Sequence, residues 1–300
     1  MKAQLWRIIR TLACVGVVAI AYTQARDSTP YNQITNVVYA EVHGTGLLMD
    51  VFIPRDKTNG LAIVDVVSGA WFSDRGKIRD HERAGLFDVL CGRGYTVFAI
   101  RPGSVSRYTA FEMADHIRTG IRYVKANAEK YRIAPESIGL TGASAGGHLA
   151  ALVALTPESG DPGTSNALRR HDTAVKAVSV FFPPTDFLDW NGRPAPVELL
   201  GRLLFIGGAA NKSEDEIKKA AIAISPVSQV RQQPPPFLIF HGDADPLVPL
   251  QQSKKLVEAL KAAGGKAELV VKSGGGHPWP TIREEVEVMA KWFDEALANK

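Results

Sequence analysis

Short apolar segments alternate with longer segments of helical pattern along most of this chain, and this alternation restricts the fold more than any other feature. Segments rich in β-branched and aromatic residues predict eight strands, at residues 36–42, 48–53, 61–67, 95–100, 138–141, 175–182, 237–240 and 267–271. The longer segments between and after them predict helices at residues 77–93, 111–130, 147–155, 251–263 and 281–298. The first two strands are close enough to form an antiparallel hairpin, and the later ones are separated by helices. The sequence therefore predicts an α/β protein with a mostly parallel, doubly wound, eight-stranded sheet.

Residues 1–25 have the composition of a secretory signal peptide. Three basic residues precede an apolar run at residues 11–21, and small residues suit cleavage after Ala25. The apolar run is too short to span a bilayer, so we expect no stable membrane anchor after cleavage. The sequence predicts a secreted or periplasmic protein whose mature part, residues 26–300, forms a single domain.

Charge and cysteine content exclude several classes of partner and site. The chain has 35 Lys and Arg against 31 Asp and Glu, and three of the basic residues lie in residues 1–25, which leaves 32 against 31. With this balance and no block of Lys or Arg, we expect no nucleic-acid partner. Cys91 is the only cysteine after residue 25, which excludes a disulfide within the mature chain and a metal site built on cysteine. It ends an apolar helical pattern, so we expect a buried thiol.

The segment at residues 137–155 has the pattern of a nucleophile elbow, a sharp strand-to-helix turn that exposes a serine. A short β-branched run precedes Gly-Ala-Ser-Ala-Gly, and an Ala- and Leu-rich run follows it, so Ser144 falls on the turn. Gly142 and Gly146 flank it, as the crowded turn requires. The motif is weak alone, because glycine and serine are common here, and its weight comes from the strand and helix around it.

An acid and a histidine follow later strands. Asp243 and Asp245 come after the predicted strand at residues 237–240, and His277 comes after the last one. Reactive groups gather at the carboxyl ends of parallel strands, so these side chains are expected near Ser144. The chain order Ser, Asp, His is the order of α/β-hydrolases and differs from those of the chymotrypsin and subtilisin folds.

With these motifs the chain resembles the α/β-hydrolase superfamily. Within it, the chain is similar to bacterial feruloyl and acetylxylan esterases and to carboxylesterases like hormone-sensitive lipase. The catalytic domains of prolyl oligopeptidases are closely related to this group. The resemblance covers essentially the whole mature chain and is carried by residues 142–148, residues 241–249 and the Gly-rich turn to His277. It implies the α/β-hydrolase fold, with Ser144 as nucleophile, His277 as general base and Asp245, rather than the rival Asp243, as the acid of the triad. We expect His148 and His241 to be structural.

The resemblance also implies an oxyanion hole made by backbone N–H groups, one from Ala145 and others from the loop after the third strand. Related esterases have His-Gly-Gly-Gly-Trp there, whereas this chain has Val-Ser-Gly-Ala-Trp at residues 67–71. Main-chain donors survive such changes, so Gly69 and Ala70 are the predicted donors. Losing one donor would cost about 3 kcal/mol in the barrier, which affects rate more than reaction class.

Several aromatic residues follow predicted strands, where they could form one wall of a substrate-binding cleft. The predicted substrate-binding residues are Trp71, Phe72, Tyr108 and Trp279, and Pro183 and Trp190 lie in similar positions. Residues 189–226, called the helical excursion below, interrupt the alternation and predict a small helical insertion near the site. No His, Cys or carboxylate cluster has zinc spacing and no phosphate-binding Gly-rich loop is present, so no metal and no cofactor are expected.

Together these features predict a secreted serine carboxylesterase acting through an acyl-enzyme on small-molecule or carbohydrate-linked esters, such as acetyl, feruloyl or other short or aryl esters. A peptidase similar to prolyl oligopeptidase is a second interpretation, weakened because no propeller domain precedes the hydrolase pattern. A hydrolase fold retained as an inactive binding protein is a third, motivated by the altered oxyanion loop.

Overall fold

The computed structural model describes residues 29–298, and these residues contain one sheet of eight strands. The strands are β1 (Tyr31–Val42), β2 (Thr45–Pro54), β3 (Ala62–Val66), β4 (Thr96–Arg101), β5 (Ile138–Ala143), β6 (Ala177–Phe181), β7 (Phe237–Gly242) and β8 (Ala267–Lys272). Their order across the sheet is β1-β2-β4-β3-β5-β6-β7-β8. The pairs β1/β2 and β2/β4 are antiparallel and all the others are parallel. The predicted α/β-hydrolase fold with its mostly parallel sheet is confirmed. The predicted signal peptide lies outside the described residues.

The helices of the described chain follow the strands in the predicted order. They are α1 (Arg75–Arg83), α2 (Leu86–Gly92), α3 (Ala110–Ala126), α4 (Ala128–Tyr131), α5 (Ala145–Leu155), α6 (Val197–Leu204), α7 (Glu214–Ile224), α8 (Pro226–Gln229), α9 (Gln251–Ala262) and α10 (Ile282–Ala298), with a 3₁₀ turn at Leu168–Arg170. Capping boxes begin α3 at Thr109 and α7 at Ser213, where each hydroxyl accepts from the N–H three residues on and a glutamate reaches back. None of the helices between residues 29 and 298 is long and apolar enough to cross a membrane.

The predicted helix at residues 77–93 is two helices in the structure. Gly85 separates α1 from α2 and has a left-handed backbone, with φ at 77°. Glycine adopts this conformation without steric cost, so it ends one helix and turns the chain into the next. The break matters for function because α1 is a separate helix that lines the cleft described below.

The sheet buries an apolar layer on each face. One layer packs α3, α5 and α9 against the strands, with side chains such as Ile121, Leu149 and Leu256 fully buried. The other layer packs α2 and α10, and there Phe52 stacks on Phe87 with ring centroids 3.7 Å apart. Helix α5 is buried along its whole length, which places it in the centre of the molecule. Two-sided coverage of this kind is what a parallel sheet requires.

Cys91 is buried in the layer formed by α2 and α10, and its thiol lies 3.8 Å from the carbonyl oxygen of Phe52. Burial raises the pKa of this thiol well above its usual value. The side chain therefore behaves as a small apolar group, as its sequence context predicts.

The stacked pair gives a stability prediction. Replacement of the fully buried Phe87 by alanine leaves a cavity beneath α2 and should lower the free energy of unfolding by about 3–5 kcal/mol. Phe111→Ala is the matched control, because Phe111 is 37% exposed and its loss should cost less than about 1 kcal/mol. Urea denaturation of both variants measures these changes. Equal losses in the free energy of unfolding would contradict the prediction.

Candidate active site

Ser144 lies on a strained turn between β5 and α5. Its backbone has φ at 54° and ψ at −120°, a combination that residues with a side chain rarely adopt. The Ser144 N–H donates to the Phe181 carbonyl oxygen at the end of β6, at 2.9 Å, and this bond holds the turn against the next strand. The hydroxyl is thereby presented above the carboxyl edge of the sheet, at the start of a buried helix.

The two glycines around Ser144 are required by close backbone contacts. A Cβ on Gly142 would lie 2.6 Å from the carbonyl carbon and oxygen of Gly146, and a Cβ on Gly146 would lie 2.2 Å from the carbonyl oxygen of Val66. The Gly146 N–H also donates to the Ser68 carbonyl oxygen at 3.0 Å. The turn is therefore pressed directly onto the chain that leaves β3, and no side chain fits between them.

His277 joins Ser144 to Asp245 in one chain of hydrogen bonds. Its Nε2 lies 2.9 Å from Ser144 Oγ, and its Nδ1 lies 2.6 Å from Asp245 Oδ2. A carboxylate only accepts, so Nδ1 carries the proton and Nε2 is left as the acceptor for the serine hydroxyl. The structure thus brings together the three predicted catalytic side chains, which come from loops far apart in sequence.

Asp245 is held as a buried carboxylate. Burial alone would raise the pKa of this side chain, but hydrogen bonds from His241 and His277 and from the N–H groups of Val248 and Leu247 hold the pKa well below its usual value. The two N–H groups lie 3.0 and 2.8 Å from Oδ1. The acid therefore stays charged and can orient and stabilise the imidazole next to it.

His241 and Asp243, the neighbours of Asp245 in sequence, both form hydrogen bonds that hold the surrounding loops. His241 is fully buried, with Nε2 2.8 Å from the Val248 carbonyl oxygen and Nδ1 2.6 Å from Ser253 Oγ. Asp243 Oδ1 accepts from the Gly274 N–H at 2.6 Å and so joins the loop after β7 to the loop after β8. The structure therefore places Asp245, and not the rival Asp243, against His277.

The oxyanion loop differs from its prediction at one residue. Residues 69–72 form a tight turn, called the oxyanion turn below, in which Gly69 and Phe72 exchange two backbone hydrogen bonds of 2.9 Å. The Gly69 N–H is therefore occupied, and the prediction that Gly69 donates to an oxyanion is wrong. Ala70 has φ at 48°, and no described residue accepts from its N–H. Ala145 is the first residue of α5, so its N–H has no acceptor within the helix. Ala145 and Ala70 remain the candidate donors.

His148 fastens the oxyanion turn to the helix behind Ser144. Trp71 donates from Nε1 to His148 Nδ1 at 3.0 Å, and His148 Nε2 lies 2.8 Å from the Ile224 carbonyl oxygen of α7. An indole N–H only donates, so the imidazole must be neutral with its proton on Nε2. Burial lowers the pKa of His148 to about 4, and the bond to Ile224 opposes the shift only in part. One buried ring thus joins the oxyanion turn, α5 and the helical excursion.

Ser144 and His277 open onto a cleft of about 730 Å³. One wall, made by the helical excursion and nearby loops, is aromatic and aliphatic and includes Trp71, Trp190 and Leu199. Helix α1 forms another part of the lining and presents charged and polar side chains, among them Lys77 and His81. No three His, Cys, Asp or Glu side chains between residues 29 and 298 are arranged to hold a metal ion.

Only some of the aromatic residues predicted to bind substrate line this cleft. Trp71 lines it, as does Trp190. Tyr108, Phe72 and Trp279 do not, so their prediction as substrate-binding residues is corrected. Tyr108 is 5% exposed with its ring edge-on to His116, Phe72 faces the guanidinium of Arg202, and Trp279 is 4% exposed and donates to Glu285 at 2.7 Å. Pro183 packs behind Gly147 and is also outside the lining.

The α1 wall was not predicted from the sequence. Lys77, His81 and Ala84 line the cleft and are spaced three to four residues apart, which places them on one face of a helix. That spacing can be read from the sequence and identifies one face of a helix. It does not indicate that this face lies near Ser144, because the position of the helix depends on the break at Gly85.

The strained serine turn, the histidine and acid after later strands and the parallel sheet together define an α/β-hydrolase. A family model described as BD-FAE matches residues 49–260, and the chain belongs to this family. The chain is 30% identical over 201 residues to the probable carboxylic ester hydrolase LipM of Mycobacterium tuberculosis, covering 66% of this chain and 44% of that protein. It is 28% identical over 242 residues to esterase LipC of the same organism, covering 77% and 56%. The chain thus spans about half the length of the curated relatives it matches.

Solved structures agree with the fold along most of the chain. A truncated form of a carbohydrate esterase from gut microbiota is 29% identical with a TM-score of 0.78, over 91% of this chain and 99% of that one. The fold also matches the acetyl ester-xyloside bifunctional hydrolase of Caldicellulosiruptor lactoaceticus, with a TM-score of 0.73 at 21% identity, over 90% and 98%.

The neutral, buried His148 makes stability depend on pH. Its pKa is about 4 in the folded protein against 6.5 for an unperturbed histidine, so the unfolded chain binds more protons between these pH values. The contribution is complete above about pH 6.5 and is lost as the pH falls towards 4, by roughly 3 kcal/mol in the free energy of unfolding. Urea titrations of the wild type and of His148→Asn between pH 7 and 4 measure it. The variant should be less stable at pH 7 and should lose less stability on acidification, and parallel curves would contradict the assignment.

Proposed function

We propose that this protein is a serine carboxylesterase that hydrolyses carboxylic esters through a covalent acyl-enzyme. The observation that carries the proposal is the chain of hydrogen bonds from Ser144 through His277 to Asp245 at the floor of an open cleft. The esterase names of the relatives support the same reaction class.

In the first half of the reaction Ser144 Oγ attacks the ester carbonyl carbon and passes its proton to His277 Nε2. The carbonyl oxygen becomes an oxyanion that the N–H groups of Ala145 and Ala70 can bind. The charged Asp245 stabilises the imidazolium that forms next to it. As the tetrahedral intermediate collapses, His277 returns the proton to the leaving alcohol, and Ser144 keeps the acyl group.

In the second half a water molecule takes the place of the alcohol. The water oxygen attacks the acyl carbon while His277 Nε2 accepts a proton from the water. His277 then donates this proton to Ser144 Oγ as the acyl–serine bond breaks. The products are a carboxylic acid and a free serine. Over both halves one ester and one water give one acid and one alcohol, and no cofactor is needed for this balance.

The substrate class proposed is a short or aryl acyl group on a small or carbohydrate alcohol. A cleft of about 730 Å³ with Trp71 and Trp190 on one wall can take an acetyl, butyryl or aromatic acyl group and one or two sugar rings. The similarity to a carbohydrate esterase supports the sugar-linked class. The signal-peptide pattern of residues 1–25 supports a secreted or periplasmic location, where such esters are met.

Hydrolysis of para-nitrophenyl acetate, butyrate and octanoate by the purified protein tests the reaction class. Ser144→Ala should lower kcat by about 10⁴-fold or more, because it removes the hydroxyl that is hydrogen-bonded to His277. Aminoacyl-proline amides assayed in parallel serve as the peptidase comparison, and a clear preference for the amides would overturn the esterase proposal. Inertness of the wild type on every ester would favour the inactive binding protein.

The two neighbouring aspartates provide a matched pair of variants. Asp245→Asn should lower kcat by about 10³- to 10⁴-fold, because an amide can hold the imidazole in the wrong tautomer and does not stabilise its charge. Asp243→Asn removes a carboxylate two residues away that contacts only the loop at Gly274, so kcat should stay within a few-fold of the wild type. Initial rates on para-nitrophenyl butyrate measure both. A larger loss in Asp243→Asn would reassign the acid.

A further inference from the structure

The side chain of Lys77 packs against Gly69 of the oxyanion turn. A Cβ on Gly69 would lie 2.8 Å from Lys77 Cδ, 2.9 Å from Cε and 3.3 Å from Nζ, so the lysine occupies the space that the glycine leaves open. Lys77 and Ser144 both line the cleft. The ammonium group of Lys77 therefore lies beside the oxyanion turn, and the esterase mechanism does not use it.

The position of Lys77 in helix α1 explains this contact. The helix begins at Arg75, and Lys77 is its third residue. Side chains of a helix lean towards its N-terminus, so a long side chain in the first turn reaches back over the residues that precede the helix. The residues that precede α1 are those of the oxyanion turn, and the ammonium group is thus brought to the turn by the start of the helix.

The side chains that line the cleft carry an excess of positive charge. Lys77 and Arg83 are cations, and among the described residues of the lining Asp80 is the only carboxylate. Asp80 Oδ2 lies 3.4 Å from Lys77 Nζ, and Asp80 Oδ1 lies 3.2 Å from Arg83 Nη1. His81 adds nothing to the excess, because the buried carboxylate of Asp65 lies 2.7 Å from its Nδ1.

Asp80 does not saturate Lys77. One carboxylate is shared between two cations, and Asp80 is itself half exposed. Exposed ion pairs of this kind contribute little, so they are readily exchanged for another partner. An ammonium group also has three N–H donors, and the contact with Asp80 uses one of them. Lys77 can therefore bind a second anion from the cleft.

We propose that Lys77 binds a carboxylate carried by the ester substrate, close to the ester bond. The carboxylate lies either on the acyl part, as in a monoester of a dicarboxylic acid, or on the alcohol part, as in an acylated hydroxy acid. Ala70, a candidate oxyanion donor, is the residue after Gly69, so an ester carbonyl bound there has the ammonium group of Lys77 nearby. The inference rests on the proposed esterase function and adds to it the charge of the substrate.

A carboxylate suits this place better than an uncharged or cationic group. Hydrogen bonds between an ammonium and a carboxylate are about twice as strong as those between neutral groups. A cationic group would be repelled by the excess positive charge of Lys77 and Arg83. The lining therefore favours a substrate with a negative charge.

Pairs of esters that differ only in a carboxylate and a carboxamide test the proposal. The acyl pair is monoethyl succinate and ethyl succinamate, and the alcohol pair is 4-acetoxybutanoate and 4-acetoxybutanamide. In the pair whose charged part Lys77 binds, wild-type kcat/KM should be about tenfold higher for the carboxylate, as expected of one charge-assisted hydrogen bond at a partly exposed site. This ratio should fall when the salt concentration is raised from about 50 to about 500 mM. The pair that shows the preference identifies the part of the ester that carries the charge.

Three variants locate the preference. Lys77→Met removes the ammonium group and keeps most of the stem, so the ratio of the two kcat/KM values should fall to about one. Arg79→Met is the matched control and should keep the wild-type ratio, because Arg79 lies on the same helix but is exposed and outside the lining of the cleft. Asp80→Asn removes the competing carboxylate and should raise the ratio above that of the wild type. The ratio is the measured quantity because an effect on both esters of a pair cancels in it, and thermal unfolding verifies that each variant is folded.

The outcomes separate this proposal from the proposed function. Equal kcat/KM for carboxylate and carboxamide in both pairs would overturn the carboxylate site and leave the esterase intact. A preference that persists in Lys77→Met, falls equally in Arg79→Met or falls in Asp80→Asn would also overturn the site. Turnover of para-nitrophenyl esters without turnover of any of the four probes would overturn the site alone. No turnover of any ester would overturn the esterase and the carboxylate site together.

Discussion

The contact between Gly146 and the end of β3 is the constraint on which the rest of the site depends. A Cβ at Gly146 would lie 2.2 Å from the Val66 carbonyl oxygen, so the start of α5 and the chain leaving β3 touch through backbone alone. This contact fixes the height of Ser144 above the sheet and, through the bond from the Gly146 N–H to Ser68, the position of the chain entering the oxyanion turn. Nucleophile and oxyanion donors thus share one backbone framework, and their distance does not depend on flexible side chains.

Three histidines near this framework differ in function because their partners differ. His277 has a carboxylate on one nitrogen and a hydroxyl on the other, which suits a ring that gains and loses a proton. His148 has an indole N–H and a carbonyl oxygen, which hold it neutral. His241 lies behind Asp245, bound to Val248 and Ser253, and supports the loop that carries the acid. The identity of the residue alone would not distinguish these three; the groups at each nitrogen do.

Much of the fold could be predicted from the sequence because the signals are local. Each of the eight strands contains a short apolar run of the kind that predicts a strand, and the elbow is a fixed pattern of glycines around Ser144 on a strand-to-helix boundary. Non-local features were not predictable. Whether the Gly69 N–H is free depends on the left-handed turn that pairs it with Phe72, and whether Trp279 or Trp190 faces the cleft depends on partners elsewhere, such as Glu285. The Asp65–His81 pair joins a strand and a helix that no sequence motif connects.

The central claim is that Ser144 is the activated nucleophile of this cleft, and covalent labelling tests it most directly. The protein would be incubated with a fluorophosphonate, digested and mapped by mass spectrometry. We expect one adduct, on Ser144, formed rapidly by the wild type and much more slowly by His277→Ala, because the reaction needs the base that removes the serine proton. An adduct on another residue, equal rates in the two proteins or no labelling at all would contradict it.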